Sequence, residues 1–286
     1  MNKYNSFYDT VDQIVSYGIS KGILHLHTSG EPFAGTSIGL NNRSVINFGS
    51  CSYLGLEFDE RLKNAARKAV DMYGTQFSAS RAYVSLGLYI ELQELLEKIF
   101  EAPCVIAPTT TLAHIANIPI MVGFNDAVIM DQQVHNSVQT AVEIVKARNV
   151  HVELIRHNRI DLLEERIIAL RNQHTKIWYL ADGIYSMFGD HAPVAALIAL
   201  MEKYPALHCY FDDAHGMSIY GKHGRGFVLG DKNIHPKMVI ATSLNKAFAC
   251  GGGVLIYGDK ALAGKVSRAG GPLLSSGPMQ IGRAHV

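Results

Sequence analysis

Short, unbroken apolar runs punctuate this chain: CVIA (104–107), AVIMD (127–131), HVELIR (151–156), IWYLAD (177–182), HCYFDD (208–213), MVIATS (238–243) and GGVLIYG (252–258). Each has strand length, and most are continuous rather than alternating, as expected of parallel strands covered on both faces. Between them lie segments with apolar residues at three-and-four spacing. Leu62, Ala65, Ala66, Ala69, Val70 and Tyr73 predict a helix over 59–73, and similar patterns predict helices over about 86–100, 137–147, 162–172 and 194–203. PTTTLAH (108–114) leads into a further helix. Strands alternating with helices predict right-handed βαβ units in an α/β fold, a mainly parallel sheet flanked by helices. Ligands of such sheets bind at the C-terminal strand ends. Asp131, Asp182, Asp212 and Ser243 each close an apolar run, which points to a site along that edge. The first fifty residues predict a helix and a hairpin-like extended arm outside the main sheet.

Composition narrows the class without choosing the chemistry. A chain of 286 residues supplies one large domain or one and a half, and 48% apolar with 18% charged residues is the make-up of a soluble enzyme. A net charge of +1 gives no electrostatic case for nucleic acid or a membrane surface. The N-terminal stretch MNKYNSFYDTVDQIVSYG carries acids and no long apolar core, and no run is long enough to span a bilayer. The four cysteines have no CxxC spacing; Cys104 and Cys209 sit in apolar runs and read as core residues of a reducing, cytoplasmic compartment. His25 with His27, or His215 with His223, fits no zinc pattern, so no metal is expected.

Five fragments carry candidate chemistry. In ATSLNKAFACGGG (241–253), Lys246 lies between a strand and three glycines. An arbitrary lysine is usually a solvated one, but Phe248 here would desolvate the amine and favour the neutral, nucleophilic form. In YFDDAHGMSIYGKHGRG (210–226), Asp212 can hold a protonated ring nitrogen and His215 can reach the same ring; a turn cap and a surface histidine are the ordinary alternative. Hydroxyls and free N–H groups at the start of the PTTTLAH helix make a phosphate site, although the fragment alone fits an ordinary N-cap better. His135 in DQQVHNS follows a strand end, where an imidazole can stack on a ring. ADGIYSMFGDHAPV carries Asp182 and Ser186 at another strand end.

Taken in order, NFGSCSYLGL, GTQFSASR, RHNRIDLLE, GIYSMFGDHAP, DDAHG with GKHGRG, and SLNKAFACGGG resemble the α-oxoamine synthases, pyridoxal-phosphate enzymes of fold type I. The resemblance runs from Asn47 to Gln280. It implies a fold-type-I large domain over 47–280 after an N-terminal arm over 1–46, and condensation of an amino acid with an acyl-CoA, with decarboxylation, to an α-amino ketone. By position, Lys246 would anchor pyridoxal phosphate covalently and take the substrate's α-proton. Asp212 would bind the ring nitrogen, His215 the phenolic oxygen, and His135 would stack on the ring, with Ser186 close to its phenolic side. Thr110, Thr111 and Leu112 match the phosphate turn, and Ser243 would hold the phosphate. Ser275 and Ser276 match hydroxyls lent to the neighbouring subunit's phosphate, which implies a homodimer.

Three departures bear on substrate choice: Thr111 replaces the family's glycine at the phosphate turn, Cys51 an asparagine near the substrate carboxylate, and Ser85 a glycine after Arg81. The family continues into a small C-terminal domain, so 281–286 reads as a truncated tail with that domain absent. Two alternatives stay open. One is another fold-type-I enzyme such as an aminotransferase, which the DDAH histidine and the SMFGD element argue against. The other is a non-catalytic, cofactor-binding remnant or one half of a heterodimer.

Overall fold

The computed structural model describes residues 3–276 except Ser29, Glu31 and Ala34; the 281–286 tail and the last residues of the 47–280 segment lie outside them. The chain divides between Ser50 and Cys51 into two compact units. The first holds α1 (Lys3–Ser20) and a hairpin of β1 (Ser37–Leu40) and β2 (Arg43–Ile46), with Leu40 opposite Arg43. Asn41 and Asn42 turn the hairpin, both at positive φ (51° and 59°). A two-residue loop of that kind matches strand twist, and asparagine tolerates the left-handed region better than other side chains.

The second unit alternates helix and strand. Its elements run α2 (Glu60–Tyr73), α3 (Gly87–Phe100), β3 (Cys104–Ala107), α4 (Thr110–Met121), β4 (Ala127–Asp131), α5 (Asn136–Lys146), β5 (His151–Ile155), α6 (Ile160–Leu170) and β6 (Ile177–Asp182). There follow α7 (Val194–Lys203), β7 (Leu207–Asp212), β8 (Met238–Ser243), β9 (Gly253–Tyr257), α8 (Lys260–Ala269) and α9 (Gly271–Ser275). Side-chain caps start several helices: Asp59 accepts from the Arg61 N–H and Asp259 from the Ala261 N–H. Among the described residues no helix is long and apolar enough to cross a membrane.

The seven strands β3 to β9 form one sheet in the order β3-β9-β8-β7-β6-β4-β5. Alternation along β6 explains the unbroken apolar runs. Ile177, Tyr179 and Ala181 pack into the core on one face, Trp178 and Leu180 into the core on the other, and all are buried. One expectation changes in the structure. The run GVLIY is as continuous as the others, yet β9 runs antiparallel to both β3 and β8, while β4–β5, β4–β6, β6–β7 and β7–β8 are parallel. Continuity records burial on both faces and not strand direction. The reversal puts the start of β9, Gly253, at the edge where the other strands end, paired with Ala107 on one side and Ser243 on the other.

Candidate active site

At this edge lies a cavity of about 350 Å³, lined by Thr110, Thr111, His135, Asp212, Ser243 and Lys246 among others. Its shape follows from the topology: parallel strands deliver their last residues to one rim, and the turns after them supply the walls.

One wall is the start of α4. The Thr109 hydroxyl caps this helix by accepting from the Leu112 N–H (3.1 Å), and the Thr109 carbonyl accepts from the Ala113 N–H. The first N–H groups of the helix, those of Thr110 and Thr111, have no intrahelical partner and lie on the cavity. Thr110 Oγ1 donates to the Thr242 carbonyl (3.2 Å), tying α4 to β8. The Ser243 hydroxyl oxygen accepts from the Asn245 N–H (3.0 Å), which leaves its own hydrogen to give. Gly253 makes this arrangement possible: a Cβ there would stand 2.7 Å from Thr110 N and 2.8 Å from the Thr109 carbonyl carbon.

The floor is acidic. Asp212 and Asp182 are neighbours in the β6–β7 register, and both are buried. Burial alone would raise the Asp212 carboxyl, but His114 Nε2 at 3.0 Å, Lys246 and the Ala214 N–H bring it down to about 2. Asp182 is pushed up to about 8 by its burial and by the Asp212 charge. At neutral pH the pair is therefore divided, Asp212 ionised and Asp182 protonated. Asp182 Oδ1 accepts the His135 N–H (3.0 Å), and the His135 ring caps α5 through the Ser137 N–H. Burial lowers the His135 pKa, so this ring is a neutral, flat wall.

Lys246 faces that floor. Its Nζ lies 2.6 Å from His215 Nε2, and His215 Nδ1 lies 2.6 Å from the Tyr53 hydroxyl. Desolvation lowers the Lys246 pKa against the opposing pull of Asp212, and burial with the nearby Lys246 takes His215 down to about 4. The arrangement favours a neutral amine beside a neutral imidazole.

The cavity thus gathers Lys246, Asp212, His135, Thr110, Thr111 and Ser243, with His215 bound to Lys246. Leu112, Ser186, Ser275 and Ser276 do not line it. The Leu112 N–H is taken by the cap, Ser186 is exposed on the loop after β6, and the two serines are exposed at the end of α9. Asp131 also has another task than the strand-end pattern implied. It accepts from His157 Nδ1 (2.9 Å), the Asn158 N–H (2.8 Å) and the Tyr179 hydroxyl (3.1 Å), while His157 Nε2 reaches Asp190 (2.7 Å). The RHN and GD motifs therefore pin two loops together. Tyr53 and His114 join the site without standing out in the sequence, since both look unremarkable in their local patterns; the Tyr53 position inside SYLGL is the available signal.

A family model described as aminotransferase class I and II matches residues 43–285. An 8-amino-7-oxononanoate synthase of Thermosipho melanesiensis is 32% identical over 282 residues, covering 98% of this chain and 69% of that protein. One of Fervidobacterium nodosum is 33% identical over 283 residues, covering 96% and 69%. Serine palmitoyltransferase of S. paucimobilis, determined with a bound PLP–myriocin aldimine, shares the fold with a TM-score of 0.86 at 20% identity, covering 98% of this chain and 70% of that one. The chain spans about 69% of the length of the two synthases it matches. Family model, relatives and the ordered motifs agree, and the chain belongs to the class I and II aminotransferases, in the α-oxoamine synthase family.

Proposed function

We propose that the chain uses pyridoxal phosphate to condense an amino acid with an acyl thioester, with loss of carbon dioxide, giving an α-amino ketone. The observation that carries this reading is the desolvated Lys246 amine, hydrogen-bonded to His215 in a cavity floored by the ionised Asp212.

The donor set suits the cofactor. The unpaired N–H groups of Thr110 and Thr111 with the Ser243 hydroxyl offer an anion hole of phosphate character, the more so because the glycine at position 253 lets the strand close against it. Asp212 accepts a protonated ring nitrogen, His135 supplies a flat neutral face, and Lys246 supplies the amine. When bound, pyridoxal phosphate contributes an aldehyde that condenses with amines and a ring that draws electron density from the α-carbon.

The chain's own groups then divide the work. Asp212, kept as a carboxylate, keeps the ring nitrogen protonated. Lys246 receives the α-proton at Nζ and returns it after carbon–carbon bond formation. His215 Nε2 shares a hydrogen bond with that nitrogen and helps set its protonation state. Thr110, Thr111 and Ser243 fix the phosphate end, so that the reacting carbon is held near Lys246.

The thioester is read as an acyl-CoA. Two copies are read as sharing their sites, with Ser275 and Ser276 offered to the neighbouring copy. Pyridoxal phosphate-loaded protein is to be mixed with glycine, alanine or serine and a series of acyl-CoA thioesters, following free thiol and carbon dioxide. Equal release of both, absent in Lys246→Ala, is expected. Conversion of the amino acid to an oxo acid without thioester consumption would overturn the reading in favour of amino transfer.

A further inference from the structure

Beneath the cavity floor lies a polar network that the condensation chemistry leaves unassigned. His114, on the sheet-facing side of α4, is 0% exposed. Its Nδ1 lies 2.6 Å from the Tyr210 hydroxyl and its Nε2 lies 3.0 Å from Asp212 Oδ2. Tyr210 and Asp212 stand two apart on β7, so their side chains leave the same face of the strand. One turn along α4, Asn117 Oδ1 accepts from the Tyr257 hydroxyl (2.8 Å) and Asn117 Nδ2 donates to Met121 Sδ (3.2 Å). A histidine inside an apolar helix face costs desolvation unless both ring nitrogens are satisfied, and here both are.

The hydrogen assignments follow from the neighbours. Burial, reinforced by the Asp212 charge, holds the Tyr210 phenol well above its usual pKa, so it keeps its proton and donates to His114 Nδ1. A carboxylate oxygen can only accept, so His114 carries a hydrogen on Nε2 and donates it to Asp212 Oδ2. Asp212 Oδ1 accepts the Ala214 N–H (3.1 Å). A carboxylate receiving two donors is stabilised as the anion, and a protonated carboxyl would set its own hydrogen against one of them.

We propose that His114 is a positioning residue: through the Tyr210–His114–Asp212 chain it fixes Asp212 as an oriented carboxylate, so that the cavity selects a ring whose nitrogen carries a proton. The identity of the ring rests on the function proposed above; the effect of His114 on Asp212 does not.

The test uses both the cofactor-free and the cofactor-loaded protein. In the cofactor-free protein labelled with ¹³C at aspartate carboxyls, the Asp212 signal is assigned by its loss in Asp212→Asn and titrated in wild type, His114→Phe and His114→Gln. Glutamine places an N–H close to the position of Nε2, whereas phenylalanine offers none. The expected result is a midpoint at least one pH unit higher in His114→Phe, a tenfold change in acid constant, and one close to wild type in His114→Gln. The same order is expected for pyridoxal phosphate, with affinity at least tenfold weaker for His114→Phe and largely restored by His114→Gln.

A folded His114→Phe protein whose Asp212 titrates as in wild type would overturn the proposal. Should His114→Phe fail to fold, ¹⁵N spectra of the wild-type histidine rings decide. Hydrogen on His114 Nε2 between pH 6 and pH 8 supports the proposal, and a bare Nε2 overturns it. An Asp212 midpoint that depends on His114 in a protein that does not take up pyridoxal phosphate would leave the positioning role standing and remove the proposed function instead.

Discussion

Lys246 Nζ and His215 Nε2 are 2.6 Å apart, and the opposite nitrogen of that imidazole meets the Tyr53 hydroxyl at the same distance. Burial, with a contribution from Cys51, raises the Tyr53 phenol to about 12, so it keeps its hydrogen and donates to Nδ1. The neutral ring then carries its hydrogen on Nε2 and presents it to Lys246 Nζ, which favours the unprotonated amine. Tyr53→Phe removes the donor to Nδ1 and frees the tautomer that accepts from an ammonium. The expected outcome is a higher Lys246 pKa and roughly tenfold slower modification of Lys246 near neutral pH, since a hydrogen-bond partner is worth ~1 kcal/mol or somewhat more. Labelling cofactor-free protein with an amine-reactive acylating reagent across pH, with mass spectrometry of the Lys246 peptide, measures this directly. An unchanged pH profile would remove Tyr53 from the chain of proton contacts.

Gly253 and Thr109 shape the anion-binding wall from two sides. Gly253→Ala drives a methyl group against Thr110 N and is expected to cost about 1–3 kcal/mol of stability, as overpacking does, and to weaken pyridoxal phosphate and inorganic phosphate together. Thr109→Ala removes the cap to the Leu112 N–H and is expected to cost about 1 kcal/mol. Thermal melts with and without phosphate check both. Equal protection of wild type and Gly253→Ala by phosphate would contradict the assignment of this wall.

Asp213, next to Asp212, has the opposite electrostatic fate. Its Oδ2 accepts the Val228 N–H (2.9 Å), and the carboxyl group is buried and wedged among Gly183, Gly216 and Gly226. Burial raises its pKa from 3.8 to about 8. Between those values the folded chain holds a proton that the unfolded chain has released, so this group's contribution to stability falls as pH rises through the window. Asp213→Asn cannot titrate. Denaturant unfolding at pH 5, 6, 7 and 8 is expected to show wild type losing stability relative to Asp213→Asn as pH increases; a constant difference between the two proteins would contradict it.

The strands flanking the site are legible because burial on both faces writes continuous apolar runs such as IWYLAD and MVIATS, and the polar residue that ends each run marks the rim. The reversed direction of β9 is not legible, since its side chains face the same two cores whichever way the strand runs. The helix at 260–269 is not legible either: only Ala263 and Val266 are buried along it, too narrow a stripe to stand out. Lys246 and Asp212 announce themselves by motif. His114 does not, because within TLAHIANIPIM it occupies a core position of the helix, and its partners Tyr210 and Asp212 lie nearly a hundred residues away. Asp131 reads like Asp212 in one dimension; only the His157, Asn158 and Tyr179 contacts show that its oxygens are already occupied.

Lys246 is proposed as the amine that meets the cofactor. The most direct measurement incubates the purified protein with pyridoxal phosphate, records the visible spectrum, reduces with borohydride and locates the label by peptide mass spectrometry. The expected result is a visible band in wild type, its absence in a folded Lys246→Ala protein, and a reduced label on Lys246. A folded wild-type protein with no band, or a label on a different lysine, would contradict it.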